Sequence, residues 1–249
     1  MKVRFRFVKL GKIRWTGHRD VARMWERGLR RAQLPVVYTG GFTPRPKVSF
    51  GLALPTGHES VAEYLDVEFA TADLDVVSLP ARMSAALPAG LDVTAAVAID
   101  GPIDSLQESV TSCEWELEAV GAPPDEVAAL VERALSADSL VITRERKGVS
   151  VVDDVRPAIL SVRVIGPPPC IAEGYVDHSP GAMVVAELAV HPRSLRPAEL
   201  LTALSLPHSG GLREGHVRRT YQWIQRDGAR REPLPLGATN APHAEVRAS

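Results

Sequence analysis

The sequence predicts an α+β chain of two tandem modules, each with the element order βαββαβ and the second with an extra hairpin. Two strands alternate cleanly: Val3, Phe5 and Phe7 against Lys2, Arg4 and Arg6, and Cys113, Trp115, Leu117 and Ala119 against Glu114, Glu116 and Glu118. A helix with one apolar arc follows each of them, His18 to Leu34 and Pro123 to Ala137. After each helix come a pair of strand-like runs, a second helix and a further strand, which is the ferredoxin-like split unit twice over. Pro102 to Gln107 reads as the joint, so the expected division is a basic module 1–105, a second module 106–226 and a disordered tail 227–249. The repeat rests on the order of elements and not on residue identity.

Each element has its own signal. Lys2 to Val8 is a half-buried strand, Lys9 to Lys12 a turn, and Ile13 to Trp15 an extension of the strand edge. On the helix from His18, Val21, Met24, Trp25, Gly28, Leu29 and Ala32 share one arc, while Arg19, Arg23, Arg27, Arg30 and Arg31 share the other. Asp20 in its first turn and Arg30 and Arg31 in its last suit the helix dipole, and Pro35 closes it. Val36 to Tyr38, Lys47 to Leu54 and Glu63 to Phe69 read as strands. Leu74 to Leu87 reads as a helix with Val77, Ala81, Ser84 and Ala85 inward, and Leu91 to Ile99 as a strand. In the second half, Val127, Leu130, Val131 and Ala134 face the core of a helix that carries Pro124, Asp125 and Glu126 in its first turn. A hairpin around Arg146 to Gly148, strands at Ala158 to Ile165 and Met183 to Val190, a helix at Pro197 to Leu204 and a last strand at Val217 to Ile224 complete it.

Net charge is −1, but its distribution is lopsided: residues 1 to 50 hold 13 Lys and Arg against two acids, and the remainder holds 16 against 28. Such asymmetry points to a polyanion or an acidic partner at the N-terminal part. Only two cysteines are present, Cys113 and Cys170, so the chain has no disulfide framework, no zinc spacing and no three-cysteine cluster for an iron-sulfur centre. No cofactor or metal is expected, and neither a Walker loop nor a dinucleotide fingerprint is present. The alternating N-terminus reads as a strand rather than a leader, and no run reaches the ~20 apolar residues of a membrane span. A cytoplasmic protein with no membrane contact is expected.

The loop Thr39 to Lys47 pairs two glycines with Pro44 and Pro46, a restrained frame that presents Phe42, Arg45 and Lys47. Four stretches stand out together: His18 and Asp20; Glu26-Arg-Gly-Leu-Arg-Arg-Ala32; Gly41-Phe-Thr-Pro-Arg-Pro-Lys47; and Gly57-His-Glu-Ser-Val-Ala-Glu-Tyr64. On these the chain resembles the radical-SAM-linked protein family, a domain of uncharacterised function fused to or encoded beside a cobalamin-binding type of radical SAM protein. The match is dense over the first 70 residues, with Asp154 to Pro157 and Val217 to Thr220 as looser landmarks. Gly17 and Arg19 depart from the family pattern at the His-x-Asp corner, where Thr16 offers a hydroxyl instead. The resemblance implies a radical SAM protein as partner.

These signals support three expectations. The first is a non-catalytic, RNA-binding or substrate-presenting partner of a radical SAM enzyme in RNA or ribosome-associated modification. Its contacts would come from Arg19, Arg23, Arg27, Arg30, Arg31, Phe42, Arg45 and Lys47, helped by the basic face of the first strand. The second is a metal-independent ribonuclease-like enzyme with His18 as catalytic base, against which stands a capping or core role for that histidine. The third is a protein-only adaptor whose basic face docks an acidic surface. Phe42 has two readings, a base-stacking platform or a buried anchor for its loop. Glu59, Ser60, Glu63 and Tyr64 have two readings, a polar site beside the loop or, the more ordinary use, a structural salt bridge, and Asp153, Asp154 and Arg156 are expected in a turn with a local ion pair.

Overall fold

In a computed structural model the structure describes residues 1–99, 101, 104–146, 148–169, 180–205, 211–226 and 228–234. The fold is mixed α+β, with a large, mostly antiparallel sheet and few helices. The chain divides into two compact units, Met1–Val110 with the chain from Tyr221 onward, and Thr111–Thr220. The expected joint at Pro102 lies outside the described residues; Ser105 next to it caps a short helix by accepting the Glu108 amide at 3.3 Å.

The first unit runs β1 (Lys2–Lys9), α1 (His18–Arg31), β2 (Val48–Phe50), β3 (Glu59–Glu68), α2 (Leu79–Ala86), β4 (Val93–Ile99) and α3 (Leu106–Ser109). β1 lies between β4 and β3, and β2 pairs with β3, every pairing antiparallel. Val3, Phe5 and Phe7 face the helices as their alternation predicts, and Trp25 of α1 meets Phe5 and Phe7 edge-on at 5.6 and 5.1 Å. The two helices approach closely at Gly28, where a Cβ would stand 3.0 Å from Leu87 Cδ2 and 3.3 Å from Met83 Cε. That contact explains a glycine in the middle of a helix that would otherwise favour alanine.

Three local expectations are corrected here. Gly11–Trp15 forms a 3-10 turn rather than a strand edge. The second helix begins at Leu79, after a separate turn at Val76–Ser78, because Pro80 suits the first helical turn. Its buried residues are accordingly Leu79, Pro80, Met83 and Ala86, and Val77 is 79% exposed. The strand expected over Lys47 to Leu54 is confined to the three residues of β2.

The second unit contains β5 (Val110–Val120), α4 (Pro124–Ser136), β6 (Val141–Arg146), β7 (Val149–Asp154), β8 (Ile159–Gly166), β9 (Gly181–Ala189), α5 (Pro197–Leu204) and β10 (Arg213–Arg226) up to Thr220. Its strand order is β10-β5-β9-β8, with β6 and β7 forming a hairpin of their own. Val127, Leu130, Val131 and Ala134 are the buried face of α4, as their spacing predicts. The acidic face of β5 is half-buried rather than open: Glu118 accepts the His216 amide at 3.0 Å and Glu114 the Thr220 hydroxyl at 3.2 Å. Asp154 accepts the amides of Leu140 and Arg156 at 2.9 and 3.0 Å, which holds its carboxyl below the usual range. Asp153 pairs with the distant Arg193 and Arg144 instead of forming a local pair with Arg156.

From Tyr221 the chain returns to the first unit, where β10 turns back into β11 (Ala229–Arg231). Of the tail expected over 227–249, residues 228–234 are therefore structured, and Leu234 packs against Ala62, Tyr64 and Leu106. Residues 235–249 of that expected tail lie outside the described residues.

Candidate functional site

The apolar arc of α1 buries Val21, Trp25, Gly28 and Leu29, which turns Arg19, Arg23, Arg27, Arg30 and Arg31 to solvent. Two of the five meet acids on the helix itself: Arg23 pairs with Asp20 at 3.0 Å, and Arg30 reaches Glu26 at 4.0 Å. Like-charge repulsion along the helix is thereby smaller than five bare cations would produce. Arg31 donates to the Ala86 carbonyl at 2.9 Å. Among the described residues, the guanidinium groups of Arg19 and Arg27 have no ion pair.

The loop after α1 is closed at its base. Thr39 donates its amide to the Arg45 carbonyl at 2.8 Å and accepts the Arg45 amide on its hydroxyl at 3.1 Å, while Lys47 N–H reaches the Val37 carbonyl at 2.8 Å. Gly41, at φ 108°, occupies a region closed to most side chains, and this turns the tip over. Phe42 next to it is fully exposed, so the buried-anchor reading of Phe42 does not hold. Arg45 is exposed, and Lys47 pairs with Glu68 at 3.2 Å.

His18 is exposed at the first turn of α1 and stands edge-on to Phe50, ring centroids 5.2 Å apart. It is thus neither a core residue nor a cap, since the N-cap is Gly17 and no side chain caps the helix. It borders a small recess, open to solvent, whose lining includes Phe7, Val21, Leu54 and the buried Lys9 and Glu63. Lys9 Nζ donates to the carbonyls of Arg14 and Thr16 at 3.0 and 2.8 Å, tying the 3-10 turn to the start of α1. Glu59 accepts the Gly11 amide at 2.7 Å and lies 3.8 Å from Arg14. Neither Lys9 nor the exposed Trp15 was singled out from the sequence, because no spacing marks a charge buried at a strand end. Glu59 thus serves in polar contacts at this turn and Glu63 lines the recess, while Lys47 pairs with Glu68 instead.

The basic face of β1 behaves differently from α1. Arg4 is 3% exposed and grips Asp66 with two nitrogens at 2.8 and 3.0 Å, donating a further bond to the Pro233 carbonyl at 2.7 Å. Arg6 pairs with Glu232 at 3.1 Å. Tyr64, directly opposite Arg6 in the register, reaches Glu232 at 3.4 Å. Burial pushes its phenol far above the usual tyrosine value, Arg6 opposing and Glu232 adding to that effect. The expectation that this strand face joins a polyanion surface is thus corrected: acids of β3 and the segment after β11 neutralise and cover it.

A family model described as an uncharacterized protein conserved in bacteria, DUF2344, matches residues 2–190. The chain belongs to this family. The match ends before β10, so the segment that covers Arg4 and Arg6 lies beyond it. No curated protein matches the sequence. Among solved structures, a crystal structure of a Cbf5-Nop10-Gar1 complex is similar with a TM-score of 0.50 at 10% identity, covering 88% of this chain and 48% of that one. This chain therefore spans about half the length of the chain it matches, and the likeness concerns the fold alone.

Proposed function

We propose that this protein is a non-catalytic RNA-binding module that presents substrate to a radical SAM enzyme. The observation that carries the RNA reading is the pairing, in one unit, of a fully exposed Phe42 on a closed, proline-braced loop with an arginine face whose Arg19 and Arg27 have no ion pair among the described residues. A cationic face supplies sequence-independent attraction to phosphate, and an exposed aromatic ring held on a firm backbone suits an unstacked base. The radical SAM partnership rests on the resemblance in the first 70 residues. The strand orders β4-β1-β3-β2 and β10-β5-β9-β8 support reading the units as two related ferredoxin-like modules. Fold alone assigns no chemistry to them.

The test is binding of a single-stranded RNA oligonucleotide at two salt concentrations, by wild type and by the triple charge reversal Arg19→Glu, Arg23→Glu, Arg27→Glu. Each lost phosphate contact reduces the salt slope by about 0.7 for single strands, so the triple variant should lose roughly two units. A triple variant that melts normally and keeps the wild-type slope sinks the RNA reading. It leaves the adaptor reading, which co-purification of an acidic protein partner checks. One observation favours an enzymatic alternative, the exposed His18 at the mouth of a recess that holds Lys9 and Glu63. Cleavage of mixed small RNAs in the presence of chelator, abolished in His18→Ala, would put that alternative first.

A further inference from the structure

We infer that Trp15 is a second stacking platform, binding an unstacked base of single-stranded RNA just ahead of the arginine helix; this rests on the RNA-binding reading and assigns it a residue outside the charged face. Trp15 is 65% exposed, an unusual setting for the largest side chain of a turn that carries no buried residue. Its position is nevertheless closely determined. One side of the ring rests on Gly57, where a Cβ would come within 3.0 Å of ring carbon Cζ3 and where φ is +91°. The Gly57 amide donates to the Arg14 carbonyl at 2.8 Å, and the Thr16 amide to the Ile13 carbonyl at 2.9 Å. Lys9, 3% exposed, holds the Arg14 and Thr16 carbonyls, and Glu59, 5% exposed, holds the Gly11 amide.

Two charged side chains are therefore withdrawn from water to hold a turn whose own product is an outward-facing indole. Burying a charge is costly unless the group is paired and hydrogen-bonded, and these three bonds converge on residues 11 to 16. The glycine behind the ring leaves a flat support for it. Arg14 lies over the ring with its guanidinium carbon 5.2 Å from the centroid, a cation-π contact that makes the platform itself cationic. α1 begins at His18, so the indole stands four residues ahead of Arg19 in the chain, and aromatic and cationic groups alternate here as they do on single-strand binding surfaces.

The experiment uses the full chain with oligo(U) as the base-bearing probe and inorganic polyphosphate as the base-free one. Trp25 and Trp115 are buried and Trp223 half-buried, so Trp15 is the most accessible indole. Oligo(U) should quench tryptophan emission and polyphosphate should not. Trp15→Phe should bind oligo(U) nearly as well as wild type but lose the quench. Trp15→Ala should bind oligo(U) about tenfold more weakly, with polyphosphate binding and melting temperature unchanged. The inference fails if Trp15→Ala binds oligo(U) as the wild type does, or if its loss is equal for polyphosphate. The α1 triple reversal separates the two readings: RNA binding lost there but intact in Trp15→Ala condemns the platform alone, and a wild type that binds no oligo(U) condemns both.

Discussion

Two sets of arginines close together in the chain have opposite fates. On β1 the side chains of Arg4 and Arg6 point to one sheet face, where period-two geometry brings them opposite Asp66 and Tyr64 of β3. Chain from beyond β11 then closes over them through Pro233 and Glu232. On α1 the five arginines radiate from a helix whose other side is fully used by Trp25 and its neighbours, and nothing among the described residues covers them. Sequence charge measures how many cations a segment owns. Whether they remain available is decided by what the fold lays across them.

The strongest way to break the comparison is to strand the buried guanidinium. Asp66→Ala leaves Arg4 without its carboxylate and should cost about 3 to 5 kcal/mol in denaturant unfolding, as removal of one partner of a buried pair does. Replacing both by apolar residues, Arg4→Met with Asp66→Leu, should recover most of that loss. A small cost for Asp66→Ala would mean that the pair is more solvated than its geometry implies. On the helix the equivalent structural lesion lies on the inner face: Trp25→Ala should cost about 3 to 5 kcal/mol through the cavity left between Phe5 and Phe7. Trp25→Phe should be milder, because the buried indole N–H has no hydrogen-bond partner among the described residues.

A pH series sharpens the contrast on the strand side. Tyr64 has its phenol raised above the ordinary 10.0 by burial, so the unfolded chain ionises it before the folded one does. The stability it contributes is complete below pH 10 and is lost as pH rises above the unfolded value. Tyr64→Phe should therefore flatten the alkaline fall in melting temperature while changing little at neutral pH. A fall of the same steepness in both proteins would assign the alkaline loss elsewhere. The smallest effect belongs to the exposed set. Phe42→Ala should shift stability by no more than about 0.5 kcal/mol, since its ring touches solvent on all sides, yet weaken RNA binding several-fold.

Particular residues show why some of this was legible in advance. The inner arc of α1 reads correctly because a 3.6-residue period and a single covering layer are enough to separate core from surface, and the same holds for Val127, Leu130, Val131 and Ala134 of α4. α2 was set out of phase because small residues such as Ala81, Ser84 and Ala85 carry little periodic signal, while Pro80, which marks the true start, is a more specific cue. The closed base of the 39–47 loop follows from its prolines and glycines, but the exposure of Phe42 does not, since an aromatic at a loop tip is equally compatible with an anchor.

The sequence by itself determined what local rules govern: the strands that alternate, the helix with one apolar and one basic side, the mixed α+β class, and the concentration of positive charge in the first 50 residues. Only the tertiary structure decided which of those charges stay in water. The pairing of Arg4 with Asp66, the covering of Arg6 by Glu232 and the use of buried Lys9 to hold out Trp15 join residues between 5 and 226 positions apart. Contacts over such separations depend on strand register and on the return of the chain after β10. Neither leaves a periodic trace in the amino-acid order, because each is a long-range pairing and not a repeat.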